Sequence, residues 1–369
     1  MTLKEAVSMD IRLDEEAMER AKRNWDSIAK PLDSLGLLEK AIIRIAGIGG
    51  TPEIDLSKKA VAIFCGDNGI VSEGVTQTGQ EVTAVVTENF SRGESCVCLM
   101  AKEAGAYVLP VDLGVAGRLK GAVCEFPLSI PEEKRHVLYP IWDRKLALGT
   151  KNFLEGPAMT RELTIKAVEC GMETARLLKE RGFRIIAAGE MGIGNTTTSS
   201  AVSAVLLGMD PREVTGRGAG LSREGLERKI AVIREGIEKN RPDRQDAIDV
   251  LSKVGGFDLA GLAGLMIGGA VYRIPVILDG FITGAAALAA VAICPAVREF
   301  ILASHVSAEP AGTMVLERLG LEPVIHGRMC LGEGTGAVAL LPLLSMAETV
   351  YRNMSTFQEI EIKEYQHFL

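Results

Sequence analysis

A glycine-rich stretch near the middle of the chain has the residue types that bind phosphate. Residues 189–198 read Gly-Glu-Met-Gly-Ile-Gly-Asn-Thr-Thr-Thr and run into a helix predicted over 199–207. Small residues let a phosphate approach the backbone, and the free N–H groups of a helix N-terminus favour an anion. We therefore predict a phosphate-binding loop that ends at Thr197. The alternative is that Asn195 and the threonines only cap the helix.

A second glycine-rich segment precedes a helix that carries a lysine. Residues 216–220 read Gly-Arg-Gly-Ala-Gly, and the helix that follows has one apolar face. Lys229 lies at the edge of that face, where its ammonium group could reach a phosphate or a carboxylate in a cleft. A lysine there could equally extend along the surface to solvent. The residues alone leave both interpretations open.

One glutamate stands between glycines near the C-terminal end. Residues 331–336 read Leu-Gly-Glu-Gly-Thr-Gly and precede an apolar helix predicted over 337–346. Glu333 could simply face the positive end of the helix dipole. Surrounded by glycine and apolar residues, it could instead lose solvation, which would raise its pKa toward the range of a general base. The sequence favours neither over the other.

Ser304, His305 and Glu309 suggest a serine hydrolase at first sight. A serine nucleophile of that kind normally sits in a G-x-S-x-G turn, and no such sequence accompanies these residues. Nucleophilic serine chemistry is therefore not predicted.

The candidate segments follow short apolar runs that read as β-strands. The runs alternate with helical stretches, which predicts an α/β fold with a parallel sheet and helices on both faces. Ligands of such sheets bind beyond the carboxyl ends of the strands. The predicted strands cover 60–65, 106–111, 184–188, 274–278 and 300–303.

The two ends of the chain have a different character from its centre. Helices are predicted over 14–29 and from Ser34 to about Gly47, and the charged last twenty residues read as a tail that packs back on them. The predicted division is a small domain starting at 1–50, a catalytic domain at 51–345 and a C-terminal segment at 346–369 that joins the small domain. Residues 117–141 are predicted to hold little regular structure.

Composition excludes several classes of partner. The 369 residues include 41 Lys and Arg against 48 Asp and Glu, a net charge of −7 without a basic stretch, so nucleic acid and anionic membrane are not expected. The uncharged stretch 280–297 reads as a buried helix. Seven scattered cysteines predict a reducing cytoplasm, four isolated histidines predict no metal site, and the charged first ten residues predict no signal peptide.

Taken together, these segments resemble the nicotinate-nucleotide:dimethylbenzimidazole phosphoribosyltransferases, the CobT family. The resemblance implies a large parallel α/β domain, a small helical domain from both chain ends and a homodimer that works without metal or cofactor. The motifs that carry it are Lys30-Pro31, Ser34-Leu35-Gly36, Gly66-Asp67-Asn68-Gly69, Glu73-Gly74-Val75, Gln80-Glu81-Val82-Thr83, Asn152 to Thr160, Gly189 to Thr197, Gly216-Arg217-Gly218, Asp279-Gly280-Phe281, Ser307-Ala308-Glu309-Pro310 and Leu331 to Gly336.

The resemblance also implies a reaction and a set of site residues. A ring nitrogen of an aromatic base attacks C1′ of nicotinate mononucleotide, nicotinate leaves, and an α-ribotide forms. Glu333 matches the general base, Glu190 matches a second active-site carboxylate, and Lys229 matches a lysine near the ribose phosphate. The remaining nucleotide-binding residues that we predict are Gly192, Gly194, Asn195, Thr196, Thr197, Gly216, Gly218, Asp279 and Ser307.

Three departures from the family pattern concern the pocket for the accepting base. Asn68 stands where the family usually has His, Thr78-Gly79 replaces a more bulky segment before Gln80, and residues 117–141 are longer than usual. We predict a base pocket that includes Asn68, Thr78 and Gln80 and that discriminates less strictly for dimethylbenzimidazole. The alternatives are a paralogue that activates phenol or p-cresol within a heterodimer, a non-catalytic partner subunit, and a hydrolase of nicotinate mononucleotide, which would need a water-sized acceptor site instead of an apolar slot for a ring.

Overall fold

A seven-stranded parallel sheet forms the centre of the protein, whose computed structural model describes residues 1–367. The strands lie in the order β3-β4-β2-β1-β5-β6-β7, and each pairs in parallel with its neighbours. Every residue of β5 is buried, as expected for a sheet covered on both faces. The strands are β1 (Lys59–Gly66), β2 (Ala106–Gly114), β3 (Ala122–Val123), β4 (Ile141–Asp143), β5 (Ile185–Met191), β6 (Val276–Leu278) and β7 (Ile301–Ala303).

Helices connect the strands and cover the sheet. The most apolar of them, α11 and α12, are almost completely buried, and α11 packs along the length of α6. The helices of the described residues are α1 (Leu3–Val7), α2 (Glu15–Ser27), α3 (Leu37–Gly49), α4 (Glu81–Arg92), α5 (Cys96–Glu103), α6 (Arg161–Glu180), α7 (Asn195–Leu207), α8 (Pro211–Val214), α9 (Arg223–Asn240), α10 (Ala247–Val254), α11 (Phe257–Val271), α12 (Phe281–Ile293), α13 (Gly312–Leu319) and α14 (Thr335–Asn353).

The α/β fold class predicted from the sequence is confirmed, and all five predicted strands are present. The stretch 280–297 holds the buried helix α12, and no helix within residues 1–367 is both long and apolar enough to span a membrane. The segment 117–141 differs from the prediction in one respect. It contains β3 and the first residue of β4, which are short strands at the sheet edge.

The two chain ends meet on one side of the sheet. Helix α3 packs against both α2 and α14. After α14 the chain pairs with the residues that follow α2: the N–H of Ala29 donates to Ser355 O at 3.0 Å and the N–H of Phe357 donates to Ser27 O at 2.9 Å. Helix α14 itself runs across position 345, where the sequence analysis divides the catalytic domain from the C-terminal segment.

The strand order creates one point where neighbouring strands lead away in opposite directions. From β1 the chain continues to β2 on one side, and from β5 it continues to β6 on the other. A crevice forms at such a point beyond the carboxyl ends of the strands, and ligands of parallel sheets bind there. The loops after β5, β6 and β7 end at this edge of the sheet and build the cleft described next.

Candidate active site

A single cleft collects most of the predicted site residues. Its walls come from the loops that follow β5, β6 and β7, from the loop before α14, and from the loops at 75–78 and 217–221. The predicted site residues that line it are Thr78, Glu190, Gly192, Gly194, Asn195, Thr196, Gly218, Asp279, Ser307 and Glu333.

A buried positive charge lies behind the part of the cleft wall formed by Thr196 and Gly218. Lys229 on α9 is only 1% exposed, and its Nζ donates to Thr196 Oγ1 at 2.8 Å and to the carbonyl oxygen of Gly216 at 3.2 Å. Gly218 lies directly against the same hydroxyl, with a φ of 53°. Burial lowers the pKa of Lys229 to about 8, opposed by the negative charge of Glu309. These residues form a compact group that is suited to a phosphate.

Two acidic side chains, Glu190 and Glu333, also line the cleft. Glu190, at the end of β5, is buried and accepts a hydrogen bond from the side-chain amide of Asn195 at the start of α7. Burial, with the charges of Asp258 and Asp279, raises the pKa of Glu190 to about 8. This carboxyl group is therefore mostly protonated at neutral pH and can donate a hydrogen bond.

Glu333 lies in the loop before α14 and lines the same cleft as Glu190. Its Oε2 is buried without a hydrogen-bond partner among the described residues, and burial raises its pKa above the usual value. Its backbone has a φ of 61°, which is uncommon for a residue with a side chain. The backbone N–H of Val97 partly offsets this rise in pKa, and a desolvated carboxylate with one free oxygen has the properties of a general base.

Asp279 holds the loop of Glu333 in place. Its carboxylate accepts hydrogen bonds from three backbone N–H groups: Gly334 at 3.1 Å, Gly336 at 2.6 Å and Ala337 at 3.3 Å. These groups are the free donors of the α14 N-terminus, so Asp279 caps this helix from another strand. We predicted Asp279 as a substrate-binding residue. The structure shows a further role, because its oxygen atoms fix the backbone that directly follows Glu333.

Asp258 is a buried acid near the site that the sequence analysis did not single out. It is the second residue of α11, it is 0% exposed, and its Oδ2 has no hydrogen-bond partner within residues 1–367. Burial raises its pKa to about 7. The sequence contained an indication of this buried acid, because Asp258 is the one charged residue in the otherwise uncharged sequence of α11.

Several predicted residues lie behind the cleft rather than in its wall. Asn68 is buried and donates from its amide to Ile193 O at 3.3 Å, behind the loop 192–194. Gln80 donates to the carbonyl oxygen of Asn68 at 3.1 Å. Thr197 turns its hydroxyl into the protein interior. Of the predicted base pocket, Thr78 alone borders the cleft.

The geometry of Ser304 agrees with the rejection of serine chemistry. Its hydroxyl is completely buried and donates to Leu278 O at 2.6 Å. His305 Nδ1 lies 3.0 Å from Ser304 Oγ, but a buried hydroxyl cannot reach a substrate in the cleft. Ser304 is therefore placed to join β7 to β6 and not to act as a nucleophile.

Gly189 is expected to be essential for the position of Glu333. A Cβ at residue 189 would lie 2.5 Å from the carbonyl oxygen of Glu333, so the Gly189→Ala variant must push the loop away. We expect a loss of about 1–3 kcal/mol in stability, as for other overpacked sites, and a clear loss of activity. Urea unfolding and steady-state kinetics would measure both.

Gly156→Ala is the matched control, since a Cβ there meets nothing within 4 Å. If Gly189→Ala behaved like this control, the contact between β5 and the Glu333 loop would not constrain the site.

The raised pKa of Asp258 predicts a specific pH dependence of stability. The folded protein keeps a proton on Asp258 up to about pH 7, whereas the unfolded chain releases it near pH 4. The contribution of Asp258 to the free energy of unfolding is therefore present at low pH and is lost as the pH rises toward 7. In the Asp258→Asn variant, the decline of unfolding free energy between pH 4.5 and 6.5 should be weaker by up to about 1.4 kcal/mol per pH unit.

Urea unfolding at several pH values measures this slope. The exposed Asp10 on the far N-terminal segment, changed to Asn, serves as the control. Equal slopes in the wild type and Asp258→Asn would mean that Asp258 is ionised in the folded protein.

Comparison with known proteins assigns the chain to a family. A family model described as phosphoribosyltransferase matches residues 11–362. A relative from Acetivibrio thermocellus, named nicotinate-nucleotide–dimethylbenzimidazole phosphoribosyltransferase, is 47% identical over 354 residues, 96% of each chain. A relative of the same name from Clostridium acetobutylicum is 43% identical, again over 96% of each chain.

Comparison with solved structures supports the same family. The crystal structure of CobT from Thermus thermophilus is 37% identical, with a TM-score of 0.86, and the match covers 95% of this chain and 100% of that one. The chain therefore belongs to the family of nicotinate-nucleotide–dimethylbenzimidazole phosphoribosyltransferases.

Proposed function

We propose that the protein transfers the phosphoribosyl group of nicotinate mononucleotide to dimethylbenzimidazole, with release of nicotinate. The names of its relatives support this reaction, and so does the cleft. The observation that carries most weight is that a buried lysine cradle and two desolvated carboxyl groups border one cleft. A displacement on a phosphorylated ribose needs these parts: one group to hold the phosphate and another to accept a proton.

The nucleotide phosphate is bound by Lys229, Thr196 and Gly218 in this proposal. Lys229 supplies the charge, and the hydroxyl of Thr196 and the backbone of Gly218 supply further hydrogen bonds. Two of these groups are already in contact before the phosphate arrives, so binding requires little reorganisation.

The two carboxyl groups have different roles in the transfer step. A ring nitrogen of the base attacks C1′, the bond from C1′ to nicotinate breaks, and nicotinate leaves with the bonding electron pair. Glu333 accepts the proton from the other ring nitrogen of the base. Glu190, with a pKa of about 8, stays mostly protonated at neutral pH and donates a hydrogen bond inside the site.

Product identification tests the proposal directly. The protein is incubated with nicotinate mononucleotide and a panel of benzimidazoles, purines and phenols, and the products are identified by mass. We expect an α-ribotide and nicotinate in equal amounts with dimethylbenzimidazole. Release of nicotinate without any ribotide would indicate a hydrolase and would contradict the proposal.

We further propose that the protein works as a homodimer in the cytoplasm. The exposed apolar side chains of Leu99 on α5 and Met346 on α14 support an interface on these two packed helices. The seven free cysteines support a reducing compartment. Light scattering of the purified protein measures the oligomeric state, and a monomer at micromolar concentration would contradict the first of these proposals.

A further inference from the structure

Glu309 lies in the cleft wall, in a position that the functions assigned so far leave without a role. It belongs to the loop that follows β7. Two hydrogen bonds fix its backbone: its N–H donates to Ser307 Oγ at 3.3 Å, and its carbonyl oxygen accepts from the N–H of Gly312 at 2.9 Å. The loop therefore presents the side chain of Glu309 from a defined position.

The Glu309 carboxylate occupies the space that a side chain at position 216 would fill. A Cβ on Gly216 would overlap Glu309 Oε2, so glycine at this position makes room for the carboxylate. The carbonyl oxygen of Gly216 in turn accepts from Lys229. Glu309 is thus separated from the phosphate cradle by one peptide unit. Within the described residues 1–367 no hydrogen bond or salt bridge of its carboxylate is found, and its negative charge partly offsets the lowered pKa of Lys229.

A substrate group that pairs with a carboxylate beside a phosphate cradle must be a hydrogen-bond donor. Carboxylate and phosphate oxygens are both acceptors, so Glu309 cannot bind the phosphate itself. The ribose hydroxyls are the donors nearest to the phosphate in a phosphoribosyl group. Glu309 lines the same cleft as Thr196 and Glu333, so a sugar whose phosphate is bound at Thr196 and whose C1′ faces Glu333, as in the proposed function, lies within its cleft.

We propose that Glu309 is a specificity-determining residue that accepts hydrogen bonds from the ribose hydroxyls and selects ribonucleotides over 2′-deoxyribonucleotides. This inference rests on the proposed function and extends it to the sugar. Hydroxyl groups bound by a charged acceptor contribute strongly to selectivity, because an analogue without the hydroxyl leaves the acceptor unpaired.

Kinetics with two substrates test this proposal. The ratio kcat/KM is measured for nicotinate mononucleotide and its 2′-deoxy counterpart with the wild type, Glu309→Gln and Glu309→Ala. We expect the wild type to prefer the ribonucleotide about 10- to 100-fold. Glu309→Ala should lose most of this factor on the ribonucleotide and change little on the deoxynucleotide, and Glu309→Gln should fall between.

The exposed Glu317 on α13, changed to Gln, is the matched control and should keep the wild-type preference. Thermal unfolding confirms that each variant is folded, and the isosteric Gln variant provides the comparison if Ala unfolds. An unchanged preference in the folded Glu309 variants would overturn the proposal, as would a wild type without preference.

A binding measurement separates this proposal from the proposed function. Titration calorimetry compares ribose 5-phosphate with 2-deoxyribose 5-phosphate and needs no transfer to a base. If the wild type binds the first more tightly and Glu309→Ala binds both equally, Glu309 selects the sugar even where no ribotide forms. Equal binding of the two sugars by the wild type would overturn the role of Glu309 whatever reaction the protein catalyses.

Discussion

The Glu333→Gln variant should lose about 10²- to 10⁴-fold in kcat while it binds nicotinate mononucleotide nearly as well as the wild type. Gln keeps the shape of the side chain but cannot accept the proton of the base. The buried Oε2 has no partner among the described residues, so the substitution breaks no existing hydrogen bond there. Steady-state kinetics and calorimetric titration with the nucleotide separate the two effects.

The pH profile gives an independent test of the same assignment. Burial raises the pKa of Glu333, and only the deprotonated carboxylate can accept a proton. The wild-type rate should therefore rise with pH through that raised pKa and fall again above about pH 8, where Glu190 loses its proton and Lys229 its charge. The acid limb should disappear in Glu333→Gln. The exposed Glu103 on α5, changed to Gln, is the control. Full activity of Glu333→Gln would leave Glu190 as the next candidate for the base.

Lys229→Met should lower kcat/KM for nicotinate mononucleotide by about 10²-fold, because it removes a charged donor from the phosphate. The effect should be confined to phosphorylated substrates. On nicotinate riboside, which lacks the phosphate, the variant and the wild type should differ little. Measuring kcat/KM for both substrates gives a cycle that isolates the contact between lysine and phosphate.

Thermal unfolding of the variant tests whether folding accounts for this loss. Met removes the hydrogen bonds from Nζ to Thr196 Oγ1 and to the carbonyl oxygen of Gly216, together with a charge whose burial lowers the pKa of Lys229 to about 8. Lys102→Met, at an exposed position of α5, is the matched control. An equal loss on nicotinate mononucleotide and on the riboside would mean that Lys229 supports the cleft without contacting the phosphate.

Local sequence patterns were sufficient for the central strands. β1, β2 and β5 are buried on both faces, so their sequences contain runs of consecutive apolar residues. A surface helix is apolar on one face only, so it does not show such a run. β3 and β4 have only two and three residues, and they exist because the sheet edge offers them partners. They do not lie in a longer apolar run of the kind that marks the equally short β6 and β7 at 274–278 and 300–303.

The roles of individual side chains were harder to predict. The sequence did not show whether Lys229 extends to solvent or turns inward. Its Nζ turns inward because Thr196 and the backbone of Gly216 provide hydrogen-bond acceptors from other parts of the sequence. Asn68 does not line the cleft, since the loop 192–194 lies between them, and its contact with the base stays a prediction. Both outcomes depend on which loops meet, and spacing along the chain does not contain that information.

The amino-acid sequence was enough to predict the parallel α/β fold and the segments that follow its strands. Buried strands appear as apolar runs, and the alternation of these runs with helices indicates a parallel sheet. The sequence also determined the family, through motifs spread over most of the chain. Only the tertiary structure decided how the site is charged. The raised pKa values of Glu190 and Glu333 follow from long-range packing, because a pKa depends on the groups and the solvent around it. The position of the Glu309 carboxylate beside Gly216 likewise depends on residues that are distant in the sequence.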